Sequence, residues 1–215
     1  MLPFARVTIV GLGLIGSSVA RAVKANMPDV RITGHDADAA VRARAVELGL
    51  CDDVTDTVGA SVTDADLIML CVPVGAMGAV AEEFAADLPA DAIVSDVGSC
   101  KQSVAEALAA SLPGATIIPA HPVAGTEKSG PDAGFATLFK GRWCILTPPE
   151  DAPGVAVERL RTFWQRLGAD VETMDARHHD MVLAITSHLP HLIAYTIVGT
   201  ADDLGEVTQS EVIKY

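Results

Sequence analysis

Apolar positions along the chain fall into short dense blocks separated by longer, looser ones. Arg6–Val10, Val30–His35, Asp66–Val72, Ala92–Asp96 and Thr116–Ala120 are brief and nearly continuously apolar. That is the pattern of strands covered on both faces. Between them, Leu14–Asn26, Asp38–Leu48, Val74–Leu88 and Lys101–Ser111 are Ala-rich and helical in character, with turns marked by Leu88-Pro89 and Leu112-Pro113-Gly114. The alternation predicts an α/β fold, a doubly wound and mostly parallel sheet of Rossmann-like type. Further on, Trp143–Thr147 and Asp170–Thr173 read as strands and Gly154–Leu167 as a helix. A long helical segment runs from about Ala176 to about Thr200, interrupted or kinked at Pro190.

Composition narrows the partners. With 28 acidic against 15 basic residues the net charge is -13, which argues against nucleic acid and anionic membranes. No continuous apolar run reaches the roughly 20 residues that a membrane span needs. Cys51, Cys71, Cys100 and Cys144 form no CxxC pair, so reduced thiols in a cytoplasmic protein are expected. VTIVGLGLIGSSVA has the apolarity of a signal-peptide core, but its glycines have a better explanation.

They spell Gly11-x-Gly13-x-x-Gly16 directly after a strand and at the start of a helix, with Leu14 and Ile15 inside the loop. Gly11 serves the tight turn, Gly13 the close approach of a pyrophosphate, and Gly16 the packing of helix on strand. Asp36 follows the second strand 20 residues after Gly16 (36 − 16), where the dinucleotide fingerprint wants a carboxylate for the ribose hydroxyls. A carboxylate repels a 2′-phosphate, so NAD is favoured over NADP, although Arg42 and Arg44 keep NADP open. Cys71, Val72 and Pro73 end another strand and are expected to lie along the cofactor. An ordinary strand terminator would look the same. Residues 1–174 are expected to form this dinucleotide-binding domain and 175–215 to begin a separate helical one.

The remaining chemistry gathers around His121, flanked by Pro119 and Pro122 where the fifth strand is expected to stop. Ligands of open α/β sheets bind at the carboxyl ends of strands. His121 and Ser99 therefore point to the cofactor's rim. A neutral imidazole there accepts the hydroxyl proton when hydride leaves a carbinol carbon. Ser99 is expected to assist it, or to cap the helix starting near Lys101. In ITSHLPHLIAY, Ser187 and His191 share a helix face that Tyr195 extends. His178, His179, Asp180 and His188 lie nearby, but no strong ligand spacing stands out and no metal site is expected.

GLGLIGSS, DVGSCK, HPVAGTEKSG and SHLPHL, in this order, resemble the prephenate and arogenate (cyclohexadienyl) dehydrogenases of tyrosine biosynthesis, from about Val7 to the last residue. The resemblance implies NAD-dependent oxidative decarboxylation of prephenate to 4-hydroxyphenylpyruvate, of arogenate to tyrosine, or of both. It makes His121 the acceptor of the ring hydroxyl's proton and Ser99 its assistant. By the same likeness His191, with Ser187, lies near the substrate side chain, and Thr126, Glu127 and Lys128 line or gate the pocket. It further implies a homodimer for the full-length family member, formed by a helical C-terminal domain. An arginine of that domain, expected beyond Tyr215, would read the ring carboxylate. Two other readings remain open: a related hydroxy-acid dehydrogenase, and a non-catalytic NAD-binding sensor.

Overall fold

The computed structural model describes residues 2–208, and their side chains as far as residue 203. The last seven residues of the expected helical domain, 209–215, lie outside the described residues.

Six strands form one parallel sheet in the order β3-β2-β1-β4-β5-β6: β1 Arg6–Val10, β2 Arg31–His35, β3 Asp53–Val54, β4 Leu67–Leu70, β5 Ile93–Asp96 and β6 Thr116–Ile117. The central strands β4 and β5 are buried at every position; β4 is wholly apolar, and β5 ends in the buried Ser95 and Asp96, the latter paired with Lys101. On one face lie α1 (Leu14–Asn26) and α6 (Gly154–Arg166), which bury Val19, Val23, Leu160 and Trp164 against Ile9, Ile32 and Met69. On the other lie α3 (Val58–Val62), α4 (Met77–Phe84) and α5 (Gln102–Ser111), over Val10, Ile68 and Val94. Helix α2 spans Ala39–Glu47. Neither β3 nor α3 was expected, because two paired residues and a five-residue helix are too short for a periodic signal.

The expected fifth strand is two strands. After β6 the chain leaves the main sheet through Ile118-Pro119, and Ala120–Pro122 forms β7 in a second sheet of order β7-β8-β9, with β8 at Trp143–Leu146 and β9 at Asp170–Thr173. His121 therefore lies within β7, opposite Ile145 of β8, and not beyond the end of a main-sheet strand. Pro122 fits there because β7 is an edge strand.

Helix α7 (Ala176–Leu183) passes into a π-helical turn at Ala184–His188 and then into α8 (Leu189–Thr208). The interruption lies ahead of Pro190 and not at it. Proline carries no N–H for the carbonyl four residues back, and the wider turn takes up the mismatch in the preceding residues. By length and composition, Ala176–Asp203 is apolar enough to cross a membrane (mean hydropathy 1.5), although polar residues such as His178, His179 and Asp180 interrupt its apolar runs. Along α8, Leu192, Ile193, Tyr195, Ile197 and Val198 are all at least half exposed.

Candidate active site

The glycine loop is built by contacts that leave no room for side chains. Gly11 has φ 95°, and a Cβ there would lie 2.5 Å from the Cys71 carbonyl oxygen. A Cβ on Gly16 would overlap the Gly11 carbonyl oxygen. Gly13 differs, since a Cβ on it would meet nothing within 4 Å. The space beside Gly13 is open, as the approach of a pyrophosphate requires. Gly13 is also the N-cap of α1, with no side-chain cap and no acidic residue in the first turn. The helix thus presents free N–H groups and its positive end to that space.

Asp36 follows β2 and faces this loop. Its carboxylate accepts hydrogen bonds from the Leu12 N–H (2.8 Å) and the Asp38 N–H (3.0 Å), which anchors it at the loop with lone pairs left for a ribose. The two arginines that kept NADP open are engaged elsewhere. Arg42 donates to the Asp36 carbonyl (2.8 Å) and pairs with Asp56, and Arg44 holds Asp132 (2.6 Å) and Glu47 (2.7 Å). Residues 71–73 run from the end of β4, where the Cys71 N–H bonds the Val10 carbonyl, so they border the glycine loop.

Around His121 the structure assembles groups from four elements. Asp96, at the end of β5, and Lys101, just before α5, form an ion pair with no exposed side-chain surface. Lys101 Nζ also donates to the Ala120 carbonyl (2.8 Å), and Asp96 accepts from the Gly98 and Ala120 N–H groups (2.7 and 3.2 Å). The pair thus clamps the backbone directly before His121 to the carboxyl end of the main sheet. The His121 ring is 9% exposed, and its Nδ1 lies 2.9 Å from Nε2 of His179 on α7. His179 is fully buried, and its Nδ1 lies 2.8 Å from the Asp180 carboxylate. Asp180 in turn accepts from the Lys101 and Gln102 N–H groups (2.7 and 3.0 Å), capping α5 from about 80 residues away.

Burial is the main cause that drives the His121 pKa down to about 3, and the nearby His179, Lys101 and His188 push the same way. Burial also lowers His179, against the opposing pull of Asp180. For Asp180, burial would raise the pKa, but the Gln102, Lys101 and His179 hydrogen bonds outweigh it and hold the carboxyl below its ordinary value. At neutral pH both histidines are uncharged and Asp180 is a carboxylate.

The other expected residues are dispersed. Ser99 is exposed, makes no hydrogen bond to His121 and does not cap α5, a place that Asp180 takes. Thr126, Glu127 and Lys128 are exposed in the loop after β7. That loop is fastened over α1 and α2 by Arg21 donating to the Pro131 carbonyl, the Phe135 N–H donating to Ser18, and the Arg44–Asp132 pair. His191 is exposed, with Nδ1 2.8 Å from the Ser187 carbonyl. His188, the first histidine of SHLPHL, acts electrostatically on His121. Sequence reasoning missed His179 and Asp180. Their only signal was a histidine beside a carboxylate near the start of the long helix.

A parallel sheet whose carboxyl rim carries a glycine loop, an uncapped helix start and a buried neutral histidine defines a class: oxidoreductases that bind NAD on a Rossmann domain. Within that class the chain belongs to the prephenate dehydrogenase family. Residues 19–173 match the family's nucleotide-binding domain and residues 175–215 its dimerization domain. A cyclohexadienyl dehydrogenase of Zymomonas mobilis is 47% identical over the whole chain, which covers 73% of that protein. The chain spans about half the length of the other curated relatives it matches. Among solved structures, prephenate dehydrogenase of Aquifex aeolicus in complex with hydroxyphenyl propionate and NAD+ superposes with a TM-score of 0.86 at 32% identity, covering 94% of this chain and 70% of that one. Synechocystis arogenate dehydrogenase gives 0.82 at 28% identity, covering 95% and 73%.

Proposed function

We propose that the protein catalyses NAD-dependent oxidative decarboxylation of prephenate, arogenate or both, yielding 4-hydroxyphenylpyruvate or tyrosine. The observation that carries this reading is the neutral, nearly buried His121 clamped to the carboxyl rim that also bears the glycine loop. Bound NAD would supply the hydride acceptor. Gly11, Gly13, Leu14, Ile15 and Gly16 would hold its pyrophosphate at the start of α1, Asp36 its ribose hydroxyls, and residues 71–73 would border it.

His121 is the base: it takes the ring hydroxyl's proton as hydride leaves the same carbon. The ring carboxylate then departs as carbon dioxide and its bonding electrons complete the aromatic ring. Neutrality at pH 7 makes His121 an acceptor, and burial denies its lone pair to water. Ser99, on the loop after β5, would assist by bonding the substrate's hydroxyl and not His121 itself. Thr126, Glu127 and Lys128, with Ser187 and His191, border the ring and side chain of the substrate. We assign residues 1–174 to the cofactor domain and 175–215 to the start of a helical substrate and dimer domain. The exposed apolar side chains of α8 would then be covered in a cytoplasmic homodimer.

The test is NADH formation by the full-length gene product with NAD and either prephenate or arogenate. Turnover of one or both is expected. Turnover only of simple hydroxy acids, or NAD binding with no turnover, would overturn the assignment.

A further inference from the structure

Catalysis by His121 needs one particular ring nitrogen free of hydrogen, and the structure contains a device that selects it. Neutral imidazole carries its single proton on either nitrogen, and the tautomer is set by whatever the other nitrogen bonds. The Asp180 carboxylate can only accept, and its oxygens already take the N–H groups of Lys101 and Gln102 at the start of α5. The His179 nitrogen 2.8 Å away must therefore carry a proton. Because His179 is neutral, its Nε2 is left as a lone pair. That lone pair faces Nδ1 of His121 at 2.9 Å, so this Nδ1 must be the donor. The proton of His121 is then used, and its Nε2 has no partner among the described residues.

We propose that His179 and Asp180 are positioning residues that hold His121 as its Nδ1–H tautomer, with Nε2 presented as the proton acceptor. The proposal rests on the assignment of His121 as the base. When the substrate O–H bond breaks and an N–H bond forms at Nε2, the imidazolium keeps its Nδ1–H bond to His179, and Asp180 lies behind it as the counter-charge. Lys101 and His188 both disfavour a positive charge on His121. The carboxylate at the end of the relay pulls the other way. Asp180 also caps α5, so the relay spans the cofactor sheet and α7 and sets the base only when the two are docked.

The experiment is nitrogen-15 NMR of histidine-labelled full-length protein at neutral pH, with the His121 signals assigned from their loss in His121→Gln. The wild type should show a pyrrole-type Nδ1 and a pyridine-type Nε2 at His121. The opposite pattern would overturn the proposal before any variant of the relay is made. In His179→Leu the acceptor is gone, and the His121 ring should shift toward the Nε2–H form. kcat should fall roughly 10- to 10³-fold with the NAD affinity unchanged. His179→Gln keeps an amide oxygen that can accept from Nδ1, and should restore both the wild-type pattern and much of kcat. An unchanged tautomer in His179→Leu, even with lower turnover, would overturn the positioning role. An Nδ1–H wild type in which His121→Ala still turns over would support the tautomer and sink the base assignment instead.

Discussion

Gly11, Gly13 and Gly16 share one motif and yet do different work. Gly11 and Gly16 meet protein, whereas Gly13 faces open space. Gly16→Ala must displace the Gly11 carbonyl, and Gly11→Ala must adopt a positive φ against the Cys71 carbonyl. Each should cost about 1–3 kcal/mol or more of stability. Gly13→Ala should leave stability within about 0.5 kcal/mol, because its φ of -67° suits any residue. It should nevertheless weaken NAD roughly tenfold or more, since the new methyl fills the space beside the helix start. Thermal melts with NAD titrations check both effects. Equal NAD affinity in Gly13→Ala and wild type would remove the pyrophosphate from this loop. The glycines and Asp36 were legible from spacing alone. His179 and Asp180 were not, because a relay between residues 58 apart has no local pattern.

Between elements, one buried ion pair does most of the joining. Asp96 from β5 and Lys101 from the start of α5 hold each other, and both hold Ala120 of β7. Burial pushes the Asp96 pKa up and the Lys101 pKa down, against the attraction between them. A pair with no water contact is costly to break from one side. Lys101→Met leaves the Asp96 carboxylate buried and unpaired, and should cost about 3–5 kcal/mol in chemical denaturation. Lys101→Met with Asp96→Asn should recover part of that loss, because no charge is left uncompensated. If the double variant is no more stable than the single one, the ion pair is not what Lys101 contributes. The main elements of the sheet were legible because their strands are continuously apolar. The split of the fifth strand was hidden because Pro119 reads equally well as the end of one strand, and only pairing of Ala120–Pro122 with β8 shows that a second strand begins there. The π turn was hidden because proline announces a disturbance without saying on which side it falls.

At the scale of the whole molecule, the depressed histidines tie folding to pH. His121 has a pKa near 3 when folded, against about 6.5 for an exposed histidine, so the unfolded chain binds more protons in between. The stability that His121 contributes is complete above about pH 6.5 and is lost as pH falls toward 3. His179 acts in the same direction. The melting temperature should drop as pH falls from about 6.5 toward the carboxylate range, and less steeply in His121→Asn. Parallel curves for the two proteins would contradict the burial of a neutral His121. The proposed function rests on His121 as the base of an NAD-dependent dehydrogenase. The most direct test is to measure kcat and NAD affinity for His121→Ala in the full-length gene product, with prephenate or arogenate as substrate. A fall in kcat of roughly 10²-fold or more, with NAD binding unchanged, is the predicted result. Turnover equal to wild type would contradict it.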